Sequence, residues 1–177
     1  MDVLNAIRYR REITKFTSEP IAEQDLEKLT ESLYLAPSGN NLPSREFILV
    51  TDQAMLADLT PATPFMKWLK DAAAAYVIIA NPQESKYWLQ DASIASGYVW
   101  LAAASIGLGA AFGAIYHAED AEESERRESY IRERLNIPEH YRVVAVIGVG
   151  HPDGQPPAKE MYPMERVLHK GTFTRHT

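Results

Sequence analysis

Cysteine is absent from this sequence of 177 residues, which excludes both a disulfide framework and thiolate chemistry. A chain without cysteine is typical of a reducing compartment, so we expect a cytoplasmic location. An excess of positive charge is also missing, because 18 Lys and Arg against 24 Asp and Glu give a net charge of −6. Nucleic-acid binding depends on a positive surface, so no nucleic-acid partner is expected. A site for an anion would have to be local.

The residue patterns of several enzyme classes are missing as well. The five histidines show no metal-ligand spacing, so no metal site is expected, and no serine lies in a G-x-S-x-G turn. The glycines from Gly107 to Gly113 come close to a dinucleotide-binding turn. That turn needs a strand before it and a helix after it, and the order predicted here is the reverse. If the chain is an enzyme, a bound cofactor rather than a catalytic side chain carries the chemistry.

A long apolar stretch from Tyr87 to Tyr116 contains a single charged residue, Asp91. Its large apolar side chains fall on every side of a helix, which predicts a helix buried all round, ending at Gly107 and followed by a strand over 110–116. The 25 uncharged residues after Asp91 leave a membrane span as an alternative. Acidic flanks and the interrupting glycines disfavour it. We favour a helix covered both by other elements and by its twin in a dimer.

Length and composition favour one globular domain over residues 1–177, since 46% of the residues are hydrophobic and 24% are charged. Helices are predicted for residues 2–9, 22–35, 53–59, 65–74 and 119–134, and strands for 46–51, 75–80 and 142–150. Segment 119–134 carries 11 charges in 16 residues, which predicts a solvated outer helix. The tail, residues 158–177, has few apolar residues and is expected to lie on another surface, such as that of a partner subunit.

Two further segments have open interpretations. Residues 10–16 predict an extended basic segment, whose two adjacent arginines by themselves indicate a solvated surface. Residues 36–44, here called the asparagine loop, are rich in Pro, Ser, Gly and Asn. This loop either approaches a polar, planar ligand closely or is an ordinary connection between a helix and a strand.

Four segments in this order resemble the flavin-dependent nitroreductase family. They are R-R-E-I-T-K-F at 10–16, A-P-S-G-N-N at 36–41, Y-W-L-Q-D-A-S-I-A at 87–95 leading to I-G-L-G, and V-V-A-V-I-G-V-G-H-P at 143–152. The resemblance covers residues 4–169. It implies an α+β fold, a three-layer α/β/α sandwich with a mixed, mostly antiparallel sheet, in a homodimer that binds two FMN molecules at its interface. It also implies hydride transfer from NAD(P)H through the flavin to nitroaromatics, quinones or similar planar acceptors.

The same resemblance assigns residues to the cofactor site. A guanidinium fork suits a dianionic phosphate, and two arginines match the family's phosphate-binding pair. Backbone groups of a strand end are expected to line the flavin ring, and the asparagine loop is expected to reach the flavin of the other subunit. The assigned residues are Arg10 and Arg11 for the phosphate, with Lys159 completing that site, Phe112, Gly113 and Ala114 for the ring, and Pro37, Ser38, Gly39 and Asn41 from the loop.

Three positions depart from the family's pattern, namely Glu12, Thr14 and Met161. Glu12 stands where the family usually has serine, and the other two replace basic residues. At ~4 Å and an effective dielectric of ~20, a like-charge pair costs about 4 kcal/mol, so a carboxylate cannot face the phosphate unless an arginine neutralises it. We therefore expect Glu12 to turn away or to pair with Arg10 or Arg11, leaving its backbone and that of Thr14 available at the site. The alternative function is a diverged family member that binds flavin weakly or not at all and serves as a binding module.

Overall fold

The computed structural model describes residues 1–154 and 156–175, so Gln155, His176 and Thr177, which fall within the predicted domain and tail, lie outside the described residues. The helices are α1 (Val3–Tyr9), α2 (Glu23–Tyr34), α3 (Gln53–Leu59), α4 (Trp88–Ser105) and α5 (Ala121–Leu135), and the strands are β1 (Arg45–Val50), β2 (Ala74–Ala80), β3 (Gly109–Ala114) and β4 (Arg142–Gly150).

The four strands form one sheet in the order β1-β2-β4-β3, and every neighbouring pair is antiparallel. Alternate residues of β2 face opposite sides, as the pleat of a strand requires. Tyr76 and Ile78 pack with α2 and α4 on one face, and Ala75 and Val77 pack with α3 and α5 on the other. These three layers agree with the predicted sandwich. Glu12 and Ala110 form an isolated bridge, which is the one parallel pairing among the described residues.

Helix α4 is not buried on all sides, although the sequence predicted a helix buried all round. Val99 and Ala103 are fully buried, whereas Ile94 and Tyr98 are 42% and 43% exposed. The helix ends where Gly107 adopts a φ of +85°, a conformation that glycine enters without steric cost. Because Ile94 and Tyr98 lie four residues apart, they form one uncovered apolar stripe on this helix. Among the described residues, no helix combines the length and the apolar character that a membrane crossing requires.

Helix α5 differs from its prediction, because it is not simply a solvated outer helix. Glu128 is fully buried, and its carboxylate accepts two hydrogen bonds from the Arg142 guanidinium, at 2.8 and 2.6 Å. This hydrogen bonding raises the pKa of Arg142 above its ordinary value. Arg132, one turn after Glu128, is also buried, with Nη1 3.7 Å from the Glu128 carboxylate. The charge-rich segment 119–134 therefore contributes to a buried ion cluster between α5 and β4.

The helix predicted for residues 65–74 is shorter than expected. Only Lys67–Asp71 form a helical segment, and it is a 3-10 turn. Strand β2 begins at Ala74. The indole N–H of Trp68 donates to the backbone carbonyl of Phe65 at 3.1 Å. The chain thus has room for a single turn before it must enter the sheet.

Candidate functional site

A cation and two aromatic rings are stacked where the segment after α1 meets α4 and β3. The Arg10 guanidinium carbon lies 4.4 Å from the centroid of the Trp100 ring. The rings of Trp100 and Phe112 are stacked, with centroids 5.9 Å apart and planes at 23°. The Trp100 indole N–H donates to the backbone carbonyl of Arg11 at 3.3 Å, which fixes the ring beneath Arg10. This stack holds a guanidinium in a defined place beside the end of a core strand.

Arg10 makes no ion pair with any of the described residues. It borders a cavity of about 90 Å³, whose walls include Ile13, Leu108 and Pro156. That volume is a few times the ~30 Å³ that a water molecule occupies in the liquid. It is well below the ~300–1,000 Å³ of pockets that enclose small-molecule ligands. The cavity has room for a small anionic group next to Arg10, but a single chain does not enclose a flavin.

The neighbouring arginine is bound to the backbone. Nη1 of Arg11 donates to the carbonyls of Arg8, Tyr9 and Arg10 at 2.9, 3.1 and 2.8 Å, and Nε donates to the carbonyl of Pro157 at 3.2 Å. The guanidinium therefore caps the carboxyl end of α1, where carbonyls are left without helical partners. It also ties that end to the segment after β4. The two arginines are adjacent in sequence, but the structure gives them different contacts.

Glu12 turns toward β3 rather than toward the arginines. Its Oε1 accepts a hydrogen bond from the backbone N–H of Phe112 at 3.3 Å, and it takes part in no ion pair of the described residues. The backbone N–H of Ile13 donates to the carbonyl of Ala110 at 3.0 Å, so this segment runs along the outer edge of β3. A carboxylate thus occupies one of the backbone donors that the sequence assigned to the cofactor.

The remaining predicted residues of this region lie at its rim. Thr14 borders an open cavity of about 310 Å³ together with Glu12 and Lys15. Lys159 is exposed and follows Pro157, whose carbonyl binds Arg11, by two residues. The structure therefore brings Arg10, Glu12, Phe112 and Thr14 into one region and places Lys159 at its edge.

The strand end assigned to the flavin ring presents backbone on a crowded edge. Gly113 is buried, and a Cβ atom at this position would lie 2.4 Å from the Sδ of Met66 and 3.2 Å from the carbonyl oxygen of Val146, so a larger residue would have to displace the Met66 side chain. Phe112 points toward α4, and Ala114, which follows Gly113, is exposed. The exposed part of this edge is therefore the end of β3 at Ala114, where the side chain is small.

The asparagine loop lies elsewhere in the chain. Pro37, Ser38 and Asn41 border a cavity of about 490 Å³ that shares no residue with the Arg10 cavity. The N–H of Gly39 donates to a carboxylate oxygen of Asp91 at 2.9 Å. Within one chain, the loop and the Arg10 region therefore do not form one site.

Comparison with known proteins identifies the family. The model of the nitroreductase family matches residues 7–63 and 60–151 of this chain. The chain belongs to the nitroreductase family. A protein of Methanothermobacter thermautotrophicus named as an NADH dehydrogenase/NAD(P)H nitroreductase is 33% identical over 170 residues, which are 94% of this chain and 86% of that protein. A protein of the same name from Archaeoglobus fulgidus is 36% identical over 155 residues, which are 85% of this chain and 86% of that protein.

The nitroreductase fold is confirmed by solved structures as well. The structure of an FMN-dependent nitroreductase from Clostridium difficile superposes with a TM-score of 0.86 at 30% identity, covering 96% of this chain and 99% of that chain. The family and the fold class predicted from the sequence are therefore both confirmed.

Two residues of this nitroreductase-family chain that contact the predicted site residues were not assigned from the sequence. Trp100 was assigned only to the apolar helix, because its place between Arg10 and Phe112 depends on tertiary packing. Asp91 gave a signal that could have been used, since it is the single charge in a stretch of 30 residues. A lone carboxylate in an apolar helix needs donors, and the turn-rich asparagine loop supplies them.

Proposed function

We propose that this chain is an FMN-dependent oxidoreductase that uses NAD(P)H to reduce planar acceptors such as nitroaromatics or quinones. Its relatives support the reaction class, because their names include NAD(P)H nitroreductase and FMN-dependent nitroreductase. The observation that carries the proposal for this chain is the Arg10 guanidinium. It is held over Trp100, beside the accessible end of β3, with no carboxylate partner among the described residues.

The residues present fit a phosphate-bearing, planar cofactor. An unpaired guanidinium with five N–H donors suits a phosphate group, and the exposed end of β3 at Ala114 suits the edge of a flat ring. Arg10 would be the main phosphate anchor, Arg11 would hold the turn that presents it, and Lys159 would approach from the tail. Bound FMN would supply hydride transfer between NAD(P)H and the acceptor.

The chain's own part in this reaction is binding and orientation. Trp100 and the Arg11 carbonyl fix the position of Arg10, and Gly113 lets the backbone of β3 pack closely. The asparagine loop, which is remote from Arg10 within one chain, would complete the site of the other subunit with Pro37 and Asn41.

Steady-state turnover tests the proposed activity. Protein loaded with FMN should consume NADH or NADPH at a rate that depends on an added quinone or nitroaromatic. Protein that binds FMN but consumes neither nucleotide would contradict the reaction. Protein that binds no FMN would instead support the flavin-free binding module.

Replacing Glu12 with glutamine is expected to tighten FMN binding. The amide keeps an oxygen that can accept from the Phe112 N–H and removes one negative charge near the proposed phosphate site. The repulsion between the Glu12 carboxylate and a phosphate is taken as about 1–2 kcal/mol, which lies between the like-charge energies in water and at a protein surface. Removing it predicts about fivefold to thirtyfold tighter binding. FMN titration at low and high salt measures it, and the gain should shrink as salt screens the charges. Equal affinities at low salt would show that Glu12 does not face the phosphate.

A homodimer is the second part of the proposal. Helix α1 packs on α4, and both helices expose apolar side chains. Val3 and Leu4 of α1 are 69% and 62% exposed, and the stripe of Ile94 and Tyr98 on α4 is exposed as well. Large apolar side chains left exposed on two packed helices mark an interaction site. We propose that the twin face of a second chain covers it.

The tail supports the same assembly. Over its described part, residues 158–175, its apolar side chains stay exposed in the single chain, with Met161, Tyr162 and Val167 at 69%, 72% and 69%. We propose that residues 158–177 pack on the partner subunit and that residues 1–177 act as one FMN-binding domain.

Introducing aspartate at both Ile94 and Tyr98 is expected to give a folded monomer. Two carboxylates would have to be buried in an apolar contact, which costs several kcal/mol per uncompensated charge. Sedimentation velocity measures whether the variant is a monomer or a dimer. Ala54→Asp on the exposed side of α3 serves as the control and should leave the dimer intact. A double variant that sediments as the unaltered dimer would show that this stripe is not the interface.

A further inference from the structure

Asp91 is a buried carboxylate that the reaction proposed above does not use. It lies in the first turn of α4 and is 3% exposed. Its Oδ1 accepts from the N–H of Gly39 at 2.9 Å, and its Oδ2 accepts from the hydroxyl of Ser44 at 2.6 Å. No ion pair of the described residues includes Asp91.

The two donors lie at opposite parts of the asparagine loop, so Asp91 holds the loop at two points. Ser44 is fully buried at the end of the loop, and its carbonyl accepts from the N–H of Asn81 at 2.8 Å. Gly39 packs against Tyr87, and a Cβ at this position would lie 2.5 Å from Cδ2 of that ring. The backbone of the loop is therefore fixed from the helix side by a hydrogen bond and by steric contact.

Between these fixed points the loop is strained. Asn40 and Asn41 adopt φ angles of 54° and 56°, the left-handed conformation that costs energy in residues other than glycine but that asparagine enters more readily than most. Both side chains are exposed, and neither carboxamide makes a hydrogen bond with any of the described residues. Strain of this kind persists only where the surroundings impose it, and it is concentrated at binding sites.

We infer that Asp91 is a positioning residue, which holds the asparagine loop in its strained form so that the loop completes the flavin site of the partner subunit. The role of the loop at the flavin site of the partner subunit rests on the proposed function, but the effect of Asp91 on the loop can be measured without flavin. Asp91 acts through Gly39 and Ser44 and does not touch the cofactor itself.

Hydrogen exchange of the Gly39 amide tests whether Asp91 holds the asparagine loop in place. The amide should be protected in the unaltered protein, and in Asp91→Ala it should exchange rapidly while the amides of Val99 and Ala103 in α4 stay protected. Asp91→Asn keeps an oxygen acceptor for the Gly39 N–H and should restore protection. Ser44→Ala is the matched control, because it removes the other bond to Asp91 and should leave the Gly39 amide protected. An equally protected Gly39 in Asp91→Ala would overturn the inference.

Mixed dimers test whether the loop completes the flavin site of the partner subunit. Asp91→Ala should weaken FMN binding about tenfold or more, because a loop that is no longer held in its binding conformation has to be ordered when the ligand binds. Subunits with Arg10→Ala and with Asp91→Ala, carrying different tags, are expressed together and the mixed dimer is purified. If the loop serves the partner, one site receives both defects and the other receives neither, so half of the FMN sites regain the affinity of the unaltered protein.

The other outcomes are distinct. If the loop served its own subunit, each site of the mixed dimer would carry one defect, no site would recover, and the inference would be overturned. If the unaltered protein bound no FMN, the proposed function would fail, and the exchange of the Gly39 amide would still decide whether Asp91 fixes the loop. If Asp91→Ala fails to fold, Gly39→Ala displaces the same loop through its contact with Tyr87 and takes its place in the mixed-dimer experiment.

Discussion

Replacing Glu128 with alanine is expected to lower the free energy of unfolding by about 3–5 kcal/mol, the usual effect of removing one partner from a buried ion pair. The carboxylate is fully buried and accepts from the Arg142 guanidinium, from the Val143 N–H at 2.9 Å and from the Ser124 hydroxyl at 2.8 Å. The variant would leave these donors unpaired and Arg132 without its nearest buried counter-charge. Arg142, whose side chain is 31% exposed, can recover some hydration, so the lower end of this range is expected.

Urea unfolding of the flavin-free protein measures this effect without a contribution from ligand binding. Glu133→Ala is the control, because Glu133 lies on the same helix and is exposed; its effect should stay within about 0.5 kcal/mol. Glu128→Gln keeps the shape and one acceptor and should fall between the two. A loss below about 1 kcal/mol for Glu128→Ala would mean that the cluster contributes no more than an ordinary surface ion pair.

Replacing Arg10 with alanine is expected to weaken FMN binding by about 2–4 kcal/mol, or about 30-fold to 1,000-fold. Arg10 is the guanidinium of this region that is not bound to backbone carbonyls, since Arg11 donates to four of them. The fold should survive, because Arg10 is only half-buried and its main contact is the face of Trp100. Fluorescence titration with FMN measures the affinity, and circular dichroism measures the fold.

Two control variants separate a specific contact from a general charge effect. Lys28→Ala changes the net charge by the same amount on the far side of α2, where Lys28 pairs with Asp25, and should bind FMN normally. Arg10→Lys keeps the charge but loses the planar fork, so its affinity should be intermediate. Similar losses in Arg10→Ala and Lys28→Ala, or an affinity of Arg10→Ala within about threefold of the unaltered protein, would place the phosphate elsewhere.

Much of the fold could be predicted from local patterns. The bounds of α3 and β4 match their predictions residue for residue, since turn residues punctuate both ends and the apolar periodicity is clear. The end of α4 was found from Gly107, and the φ of +85° explains why a glycine is there. The helix predicted for 65–74 was wrong in length, because only Lys67–Asp71 form a 3-10 turn before β2 begins at Ala74.

The features that escaped prediction depend on contacts between distant residues. Glu128 is one acid among eleven charges in its segment, and only the approach of Arg142 and Val143 from β4 reveals that it is buried. The stack of Arg10 on Trp100 joins residues 90 positions apart, a distance at which sequence spacing carries no information. The family resemblance predicted which residues would face the cofactor, and the structure shows what each of them contacts within the chain.

The central claim is that this nitroreductase-family chain holds FMN despite Glu12. The most direct test is the visible absorption spectrum of the purified protein, with mass spectrometry of whatever it releases on heating. The account predicts flavin bands and a released mass equal to that of FMN, either as purified or after incubation with FMN. A colourless protein that also fails to take up added FMN would contradict it.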